Sequence, residues 1–320
     1  MIKKINFYHS LIFFNFSIVI SAFSFLKNNS LVMLCLFLIL TIGISHGSLD
    51  NIKGKKLLKF FNIKSMSTFY IGYSLISLLI ILIWIILPKT LLSIFLIVAA
   101  YHFGKEDTEF LKKKNKVYDE ILYFLKGLPV LVSPLLFHKV ETILIFQSLN
   151  FNISEIIFIN NVFLYILLLI SFFSTLFLLF RENIKIKSLL LMDFFSILIL
   201  NYFLSPILAF TIYFCFLHSV RHSLTLMFQL NKNIKKGSIL FVKKALPLTI
   251  ITALAYLFSL YILSNYSELN ESIYKVIFIG LASLTFPHIL LEYLIEKKWK
   301  LMLILFLIEK RWKIKKLKFY

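Results

Sequence analysis

Apolar stretches of about 16 to 26 residues recur along the chain, close to the roughly 20 residues that a helix needs to cross hydrocarbon. Hydrophobic residues occupy 60% of the 320 positions, whereas soluble domains are nearer half apolar. The sequence therefore predicts an all-α fold: a polytopic helix bundle integral to a cell's inner (plasma) membrane.

The apolar stretches predict about ten transmembrane helices in one domain. The predicted spans are residues 11–26, 31–47, 68–87, 90–104, 118–137, 155–180, 187–203, 205–229, 245–264 and 273–295. Since no soluble module separates from them, we expect a single membrane domain over residues 1–295. Residues 296–320 form a basic amphipathic tail that we expect to lie on the cytoplasmic face.

Lysine and arginine alternate between successive connections. They are concentrated in residues 51–64, 105–117, 181–187 and 231–244 and after residue 295, whereas the intervening connections carry almost none. Cytoplasmic loops of membrane proteins are enriched in these residues. This alternation predicts an even number of spans with both termini in the cytoplasm.

The formal net charge of +20 has the same origin. The cations flank membrane helices and have no aromatic-rich binding module around them, which argues against nucleic acid as a partner. We expect them to fix the topology and to contact anionic membrane lipid.

Five of the seven histidines lie in or at the ends of apolar segments. They occur in four motifs: HGSLD (46–50), HFGKED (102–107), HSVRH (218–222) and FPH (286–288). Ionisable groups in a bilayer are costly and usually mark function, and imidazole is the commonest protein ligand of transition metals. The predicted topology puts all five in the cytoplasmic half of the bilayer, which indicates a metal site.

His218 and His222 are four residues apart and therefore share one helix face. This is the spacing by which one helix supplies two ligands to one metal. Arg221 points to the side, where a helix-to-helix ion pair is one interpretation. The alternative for the histidines is hydrogen bonding to backbone groups within the bundle.

Asp50 and Asp107 end the first two histidine motifs, four and five residues after the histidine. Each carboxylate is placed to accept the second ring N–H of a metal-bound histidine and so fix its tautomer. The alternative is a solvated aspartate at a helix end. Gly47 and Gly104 allow either close helix approach or a helix end beside the ligand.

Pro287, directly before His288, predicts a local helix break that frees carbonyl groups near a site. Glu292, one turn further on, and Asp193 are two more intramembrane carboxylates. The pattern assigns neither a role.

The ordered motifs HG-x-x-D, HFG-x-x-D, H-S-x-R-H and PH resemble those of the Brp/Blh-type β-carotene 15,15′-dioxygenases. The resemblance extends from about Gly43 to Glu292. Each motif alone is weak, but four in the same order are fairly specific. Family members often have proline before the first histidine, where this chain has Ser45.

The resemblance implies an Fe(2+) ion held by four histidines, which match His46, His102, His218 and His222. His288 matches the last histidine position of the family. The implied reaction is the O2-dependent cleavage of the central 15,15′ double bond of β-carotene to two all-trans-retinal molecules. This product is compatible with a functional link to a retinal-binding rhodopsin, which the sequence itself does not establish.

The chemistry of the residues agrees with this implication. Imidazole suits iron, copper, zinc and nickel, so ligand type alone leaves the metal open. Cleaving an unactivated C=C bond with O2 requires a redox metal with open coordination positions, which zinc cannot provide. Aromatic side chains flank the histidines and are candidates for the wall of a polyene tunnel, although phenylalanine is also ordinary packing material. The candidates are Tyr101, Phe103, Tyr213, Phe214 and Phe286.

Other functions remain open on the sequence alone. One is another membrane non-haem iron oxygenase or desaturase, although the chain has a single H-x-x-x-H pair. A haem carrier and a metal or proton transporter are non-enzymatic alternatives. If the dioxygenase interpretation is right, the four imidazoles should converge on one point near the cytoplasmic face, with His288 close by.

Overall fold

The computed structural model describes residues 2–23, 30–111, 116–151, 160–180 and 184–317. Within these ranges it does not describe the side chains of residues 30, 46, 116–117, 178–180, 184–185 and 298–317.

Throughout the described ranges the regular structure is helical, and no strand is present. In chain order the α-helices are α1 (Ile2–Ala22), α2 (Ser30–Leu38), α3 (Asp50–Phe60), α4 (Met66–Ile86), α5 (Pro88–Asp107), α6 (Lys116–Phe137), α7 (Lys139–Ser148), α8 (Asn161–Phe180), α9 (Ile184–Phe203), α10 (Pro206–Ile212), α11 (Val220–Leu230), α12 (Ile234–Leu263) and α13 (Leu269–Leu317). α13 is continuous across residues 295 and 296.

Eight helical segments among the described residues are long and apolar enough to cross a membrane. They are Ile2–Ala22, Leu31–Phe60, Met66–Ile86, Tyr118–Phe137, Ile186–Phe203, Pro206–Leu230, Ile234–Leu263 and Leu269–Lys297. The remaining two predicted spans, 90–104 and 155–180, overlap α5 and α8, which are 20 residues each. The all-α polytopic membrane bundle is confirmed, while the exact span count and the side of the termini stay predictions.

Local sequence signals set several helix ends. The Ser65 side chain accepts a hydrogen bond from the Ser67 amide at the start of α4, and Asn233 caps α12 in the same way. Pro88 and Pro206 begin α5 and α10, where the missing amide hydrogen costs nothing.

The outer surface of the bundle is apolar, as contact with lipid requires. Large hydrophobic side chains are exposed along α4, α8 and α12. The largest buried core joins side chains from α2, α5, α7, α10 and α13. It surrounds the segment that precedes His218.

Two transmembrane segments depart from α-helical geometry. A π-helix (Ile39–Gly43) and a 3-10 helix (Ile44–Leu49) connect α2 to α3, and a second π-helix (Tyr213–Ser219) connects α10 to α11. The two distorted segments touch, because the Ser219 hydroxyl donates to the Gly43 carbonyl at 3.0 Å. π-Helical turns are frequent at functional sites. Here His218 lies on the second π-helix, and His46 lies on the 3-10 helix that follows the first.

Glycines allow α5 and α6 to pack with their backbones in contact. A Cβ atom at Gly104 would lie 1.8 Å from the Tyr123 carbonyl oxygen, and one at Gly127 would lie 1.8 Å from that of Ala100. Of the two interpretations that the sequence allows for Gly104, the structure therefore shows close helix approach. A Cβ atom at Gly47 would meet nothing within 4 Å, so that glycine instead lies in the 3-10 helix that leads into α3.

Arg221 joins three helices through one buried guanidinium. Its two terminal nitrogens donate to the Asp193 carboxylate of α9 at 2.7 and 3.0 Å, and Nη2 also donates to the Ser10 hydroxyl of α1 at 2.6 Å. This bidentate pair is the interhelical ion pair that the sequence raised for Arg221, and it gives Asp193 its role.

We expect Gly104→Ala to lower the free energy of unfolding by about 1–3 kcal/mol, because the added methyl group overlaps a backbone oxygen of α6. Thermal unfolding of the detergent-solubilised protein measures the change. Gly72→Ala is the matched control, since a Cβ atom at that position of α4 meets nothing within 4 Å. A loss of stability in the control equal to that in Gly104→Ala would contradict this account of the α5–α6 contact.

Candidate metal centre

Four imidazoles surround one buried carboxylate, close to the last turn of α5, the start of α11 and the interior of α13. The carboxylate is Glu106, and the imidazoles belong to His102, His218, His222 and His288. All five side chains are 5% exposed or less.

The two oxygens of Glu106 face different histidines. Oε2 lies 3.3 Å from His218 Nε2, 3.4 Å from His222 Nδ1 and 3.5 Å from His102 Nε2. Oε1 lies 3.3 Å from His288 Nε2. One nitrogen of each imidazole therefore lies within 3.5 Å of a Glu106 oxygen.

Helix periodicity builds this arrangement. His102 and Glu106 are four residues apart on α5, and His218 and His222 have the same spacing across the junction of the second π-helix with α11. Each pair therefore presents both of its members on one helix face.

This donor set fits a divalent transition metal. Glu106 Oε2 is buried and accepts no hydrogen bond from the described residues. The other oxygen, Oε1, is hydrogen-bonded to His288 Nε2 at 3.3 Å. A buried carboxylate oxygen without a hydrogen bond or a cation is costly, so the pocket favours a positive charge beside Oε2. Imidazole nitrogen and carboxylate oxygen are ligands for iron, zinc and related ions.

Asp107 orients His218. Its Oδ1 accepts a hydrogen bond from His218 Nδ1 at 3.1 Å, which leaves Nε2 directed towards Glu106. The Tyr213 hydroxyl donates to Oδ2 of the same carboxylate at 2.7 Å, and Arg221 donates to the Asp107 carbonyl at 3.2 Å. A carboxylate in this position fixes the tautomer of a metal-binding histidine.

Asp50 has the corresponding position beside His288. His288 Nδ1 lies 2.9 and 2.8 Å from the two Asp50 oxygens, and the Tyr73 hydroxyl donates to Oδ2 at 2.9 Å. His288 Nε2 consequently faces Glu106. Asp50, from the first histidine motif, therefore orients His288, the last histidine of the chain.

The structure brings together three of the four imidazoles that the resemblance assigns to iron: those of His102, His218 and His222. His46 lies on the 3-10 helix (Ile44–Leu49), and its side chain is outside the described residues. His288 was expected close by, and its Nε2 lies 3.3 Å from Glu106 Oε1.

Sequence reasoning missed Glu106. Within HFGKED the sequence analysis selected only Asp107 as a supporting carboxylate. Glu106 lies four residues after His102, which predicts that both side chains share one helix face. That spacing is the signal that would have identified it.

The five candidate aromatic residues have different surroundings. Phe103 and Phe214 pack on His218, with ring centroids 4.9 and 5.7 Å away, and both line a cavity next to the centre. The Tyr213 hydroxyl donates its hydrogen bond to Asp107, and the Phe286 ring packs against Phe95.

Tyr101 differs from the other candidates because it faces α6. It directly precedes His102 and therefore projects from a different side of α5. Its hydroxyl donates to Glu120, and its ring packs near Tyr123.

An apolar cavity of about 990 Å³ extends from the histidines into the opposite half of the bundle. It is near the upper end of the roughly 300–1,000 Å³ typical of small-molecule pockets. Along α13 its wall runs from His288 to Lys275, about 20 Å at 1.5 Å per residue. His102, Asp50 and His288 are polar groups at its histidine end.

Comparison with known proteins identifies the family. A family model described as "Beta-carotene 15,15'-dioxygenase" matches residues 37–296. A curated protein named "Beta-carotene 15,15'-dioxygenase", from uncultured marine bacterium 66A03, is 28% identical over 261 residues, which are 80% of this chain and 90% of the relative. No solved structure matches significantly.

We expect Asp107→Asn and Asp50→Asn each to weaken transition-metal binding by about 10- to 100-fold, as loss of an orienting carboxylate usually does. Cobalt(II) titration of the metal-stripped protein, followed by visible absorption, measures the affinity. Glu271→Gln, at the exposed start of α13, is the control. Wild-type affinity in both aspartate variants would contradict their orienting role.

Proposed function

The chain belongs to the beta-carotene 15,15'-dioxygenase family, and from that membership we propose that it cleaves the central double bond of β-carotene with O2. The products are two all-trans-retinal molecules, and the reaction uses a non-haem iron(II) ion held by histidines. The observation that carries the proposal is a buried histidine cluster at the end of a large apolar cavity.

We assign His46, His102, His218 and His222 as the iron ligands. The convergence of the last three around Glu106 supports this assignment, and the position of His46 in the family motif completes it. When bound, iron(II) supplies the redox chemistry that lets O2 attack an unactivated C=C bond.

The remaining charged groups prepare the pocket for a cation. Glu106 contributes negative charge beside the imidazoles, and Asp107 holds His218 with Nε2 facing inwards. Because these groups are buried, their orientations are fixed before a metal arrives, and little reorganisation is needed on binding.

The cavity wall suits a polyene. Several serine and threonine residues line it, but their hydroxyls donate to carbonyls of their own helices. Ser77 donates to the Tyr73 carbonyl, Thr252 to Leu248 and Ser259 to Ala255. With these hydroxyls occupied, the wall offers mainly carbon to a ligand, as a hydrocarbon chain requires.

Substrate reaches this cavity from the bilayer. Residues of α4 and α12 that line the cavity are also exposed on the outer surface, such as Ile85 (71% exposed) and Ile251 (63%). An opening between apolar surfaces lets a carotenoid enter without passing through water, which would be unfavourable for so much apolar area.

The alternatives are less well supported. A transporter of metal ions or protons has no use for a large apolar cavity beside its charged centre. Another membrane non-haem iron oxygenase would need the same cavity and cluster, and family membership is what favours central cleavage of β-carotene over other oxidations.

The same reasoning covers location and partners. We propose the inner membrane as the location, with the basic loops against anionic lipid. Residues 1–295 are the catalytic domain, and 296–320 form a tail on the cytoplasmic face. Retinal released into the bilayer is available to a retinal-binding rhodopsin.

We expect the purified wild-type protein to hold about one iron per chain, and His218→Ala or His222→Ala to abolish both iron binding and retinal formation, because each removes an inward-facing nitrogen. Elemental analysis and chromatography of extracts from carotenoid-producing cells give the two readouts. His138→Ala, a histidine between α6 and α7, is the control and should retain both. Two irons per chain, or full activity in either cluster variant, would contradict the mononuclear centre.

A second test addresses the cavity. We expect Ala255→Trp to lower kcat/KM for β-carotene several-fold with iron content unchanged, because Ala255 lines the cavity where α12 meets lipid. Leu254→Trp is the matched control: the neighbouring residue is 60% exposed and does not line the cavity. Equal activity in the two variants would show that substrate does not use this opening.

A further inference from the structure

One face of α13 carries three side chains of the types that can bind a metal. His288, Glu292 and Glu296 are spaced by four residues, so they lie one above the next with a rise of about 6 Å each. Their side chains are 5%, 18% and 38% exposed, respectively. This α13 ladder runs from the buried centre to the protein surface.

Lysines cover the outer part of the ladder. Lys53 Nζ donates to Glu292 Oε1 at 2.6 Å, and Lys105 Nζ lies 3.1 Å from Glu296 Oε1. Both lysines belong to the lysine-rich connections of the chain. Lys53, on α3, is itself 19% exposed, so the Glu292 pair stands between the solvent and the buried histidines.

The ladder is continuous with the metal centre. Glu292 Oε1 lies 3.9 Å from His288 Nε2, and His288 Nε2 lies 3.3 Å from Glu106 Oε1. The other oxygen of Glu106 faces His218 at 3.3 Å. Glu106 therefore has one oxygen towards the ladder and the other towards the inner histidines.

Side chains of the ladder also belong to a second group that could hold a metal ion, which we call the outer group. His102, Glu106, His288 and Glu292 each offer a ligand atom, and the four atoms lie within 4.8 Å of one another. Two carboxylates and two imidazoles suit a divalent transition metal. The inner group shares His102 and Glu106 but uses His218 and His222 instead of His288 and Glu292.

A metal ion needs a polar route to this buried centre. The cavity on the other side is walled mainly by apolar side chains, and moving an unpaired ion through such surroundings is very costly. The α13 ladder offers carboxylate and imidazole ligands at short intervals from the surface inwards.

We propose that Glu292, His288 and Glu106 form a metal-loading path, in which iron(II) first occupies the outer group and then moves to the inner histidines. The proposal rests on the iron centre of the proposed function. Incoming iron displaces the Lys53 ammonium from Glu292, and Glu106 transfers the ion by exchanging its ladder-facing oxygen for the inward one. The steps are ligand exchanges, so no electron is transferred.

The test measures the rate of iron uptake. Chelator-stripped, full-length protein in detergent is mixed with ferrous ammonium sulfate under argon, and bound iron is measured at intervals after rapid desalting. We expect Glu292→Gln to slow uptake about tenfold or more, since a carboxylate that attracts the ion to the path is lost. The final iron content should remain that of the wild type.

Lys53→Met separates a loading path from a structural ion pair. Both substitutions break the same pair, but Lys53→Met leaves Glu292 available to the metal, so uptake should be as fast as in the wild type or faster. Glu271→Gln, at the other end of α13, is the control and should match the wild type.

Each result has a definite meaning. Wild-type uptake in Glu292→Gln, or equal slowing by Glu292→Gln and Lys53→Met, would overturn the loading path. A lower final iron content in Glu292→Gln would overturn it as well, because Glu292 would then be a permanent ligand. Failure of the wild-type protein to bind iron would instead refute the proposed function.

Discussion

The buried carboxylate of Glu106 is the constraint on which the centre depends. A carboxylate in a membrane bundle must be compensated, and leaving such a charge unpaired costs several kcal/mol. Here four imidazoles approach it to 3.5 Å or less, and the buried Oε2 accepts no hydrogen bond from any described residue. The pocket is therefore arranged for a cation that several nitrogens can bind together.

Irregular backbone and close packing serve this arrangement. An uninterrupted α-helix from α10 to α11 would project His218 differently, whereas the π-helical turn (Tyr213–Ser219) rotates the residues before it relative to those after it. Gly104 lets α5 approach α6 closely beside His102, and Arg221 fixes α11 to α9 through Asp193. The helices that carry His102 and His222 are therefore each packed firmly against a neighbouring helix.

Much of this could be predicted from the sequence, because hydropathy and histidine spacing are local properties. The apolar helices, the four motifs and the shared helix face of His218 and His222 follow from them. Partners across the bundle do not: Asp50 and His288 are 238 residues apart, and no spacing rule pairs them. Glu106 was locally predictable, because it lies four residues after His102 on the same helix. The motif comparison instead selected the neighbouring Asp107.

The centre lies where two different environments meet. Its cavity side is apolar, and its other side leads along charged residues of α13 to the lysine-rich connections. His288 belongs to both: it lines the cavity, its Nδ1 is held by Asp50, and its Nε2 faces Glu106. A hydrocarbon substrate and a hydrated metal ion cannot share a route, since each is strongly disfavoured in the surroundings that suit the other. Under the two proposals, histidines at this boundary would let one bundle admit both, the substrate through the apolar cavity and the ion along the charged side.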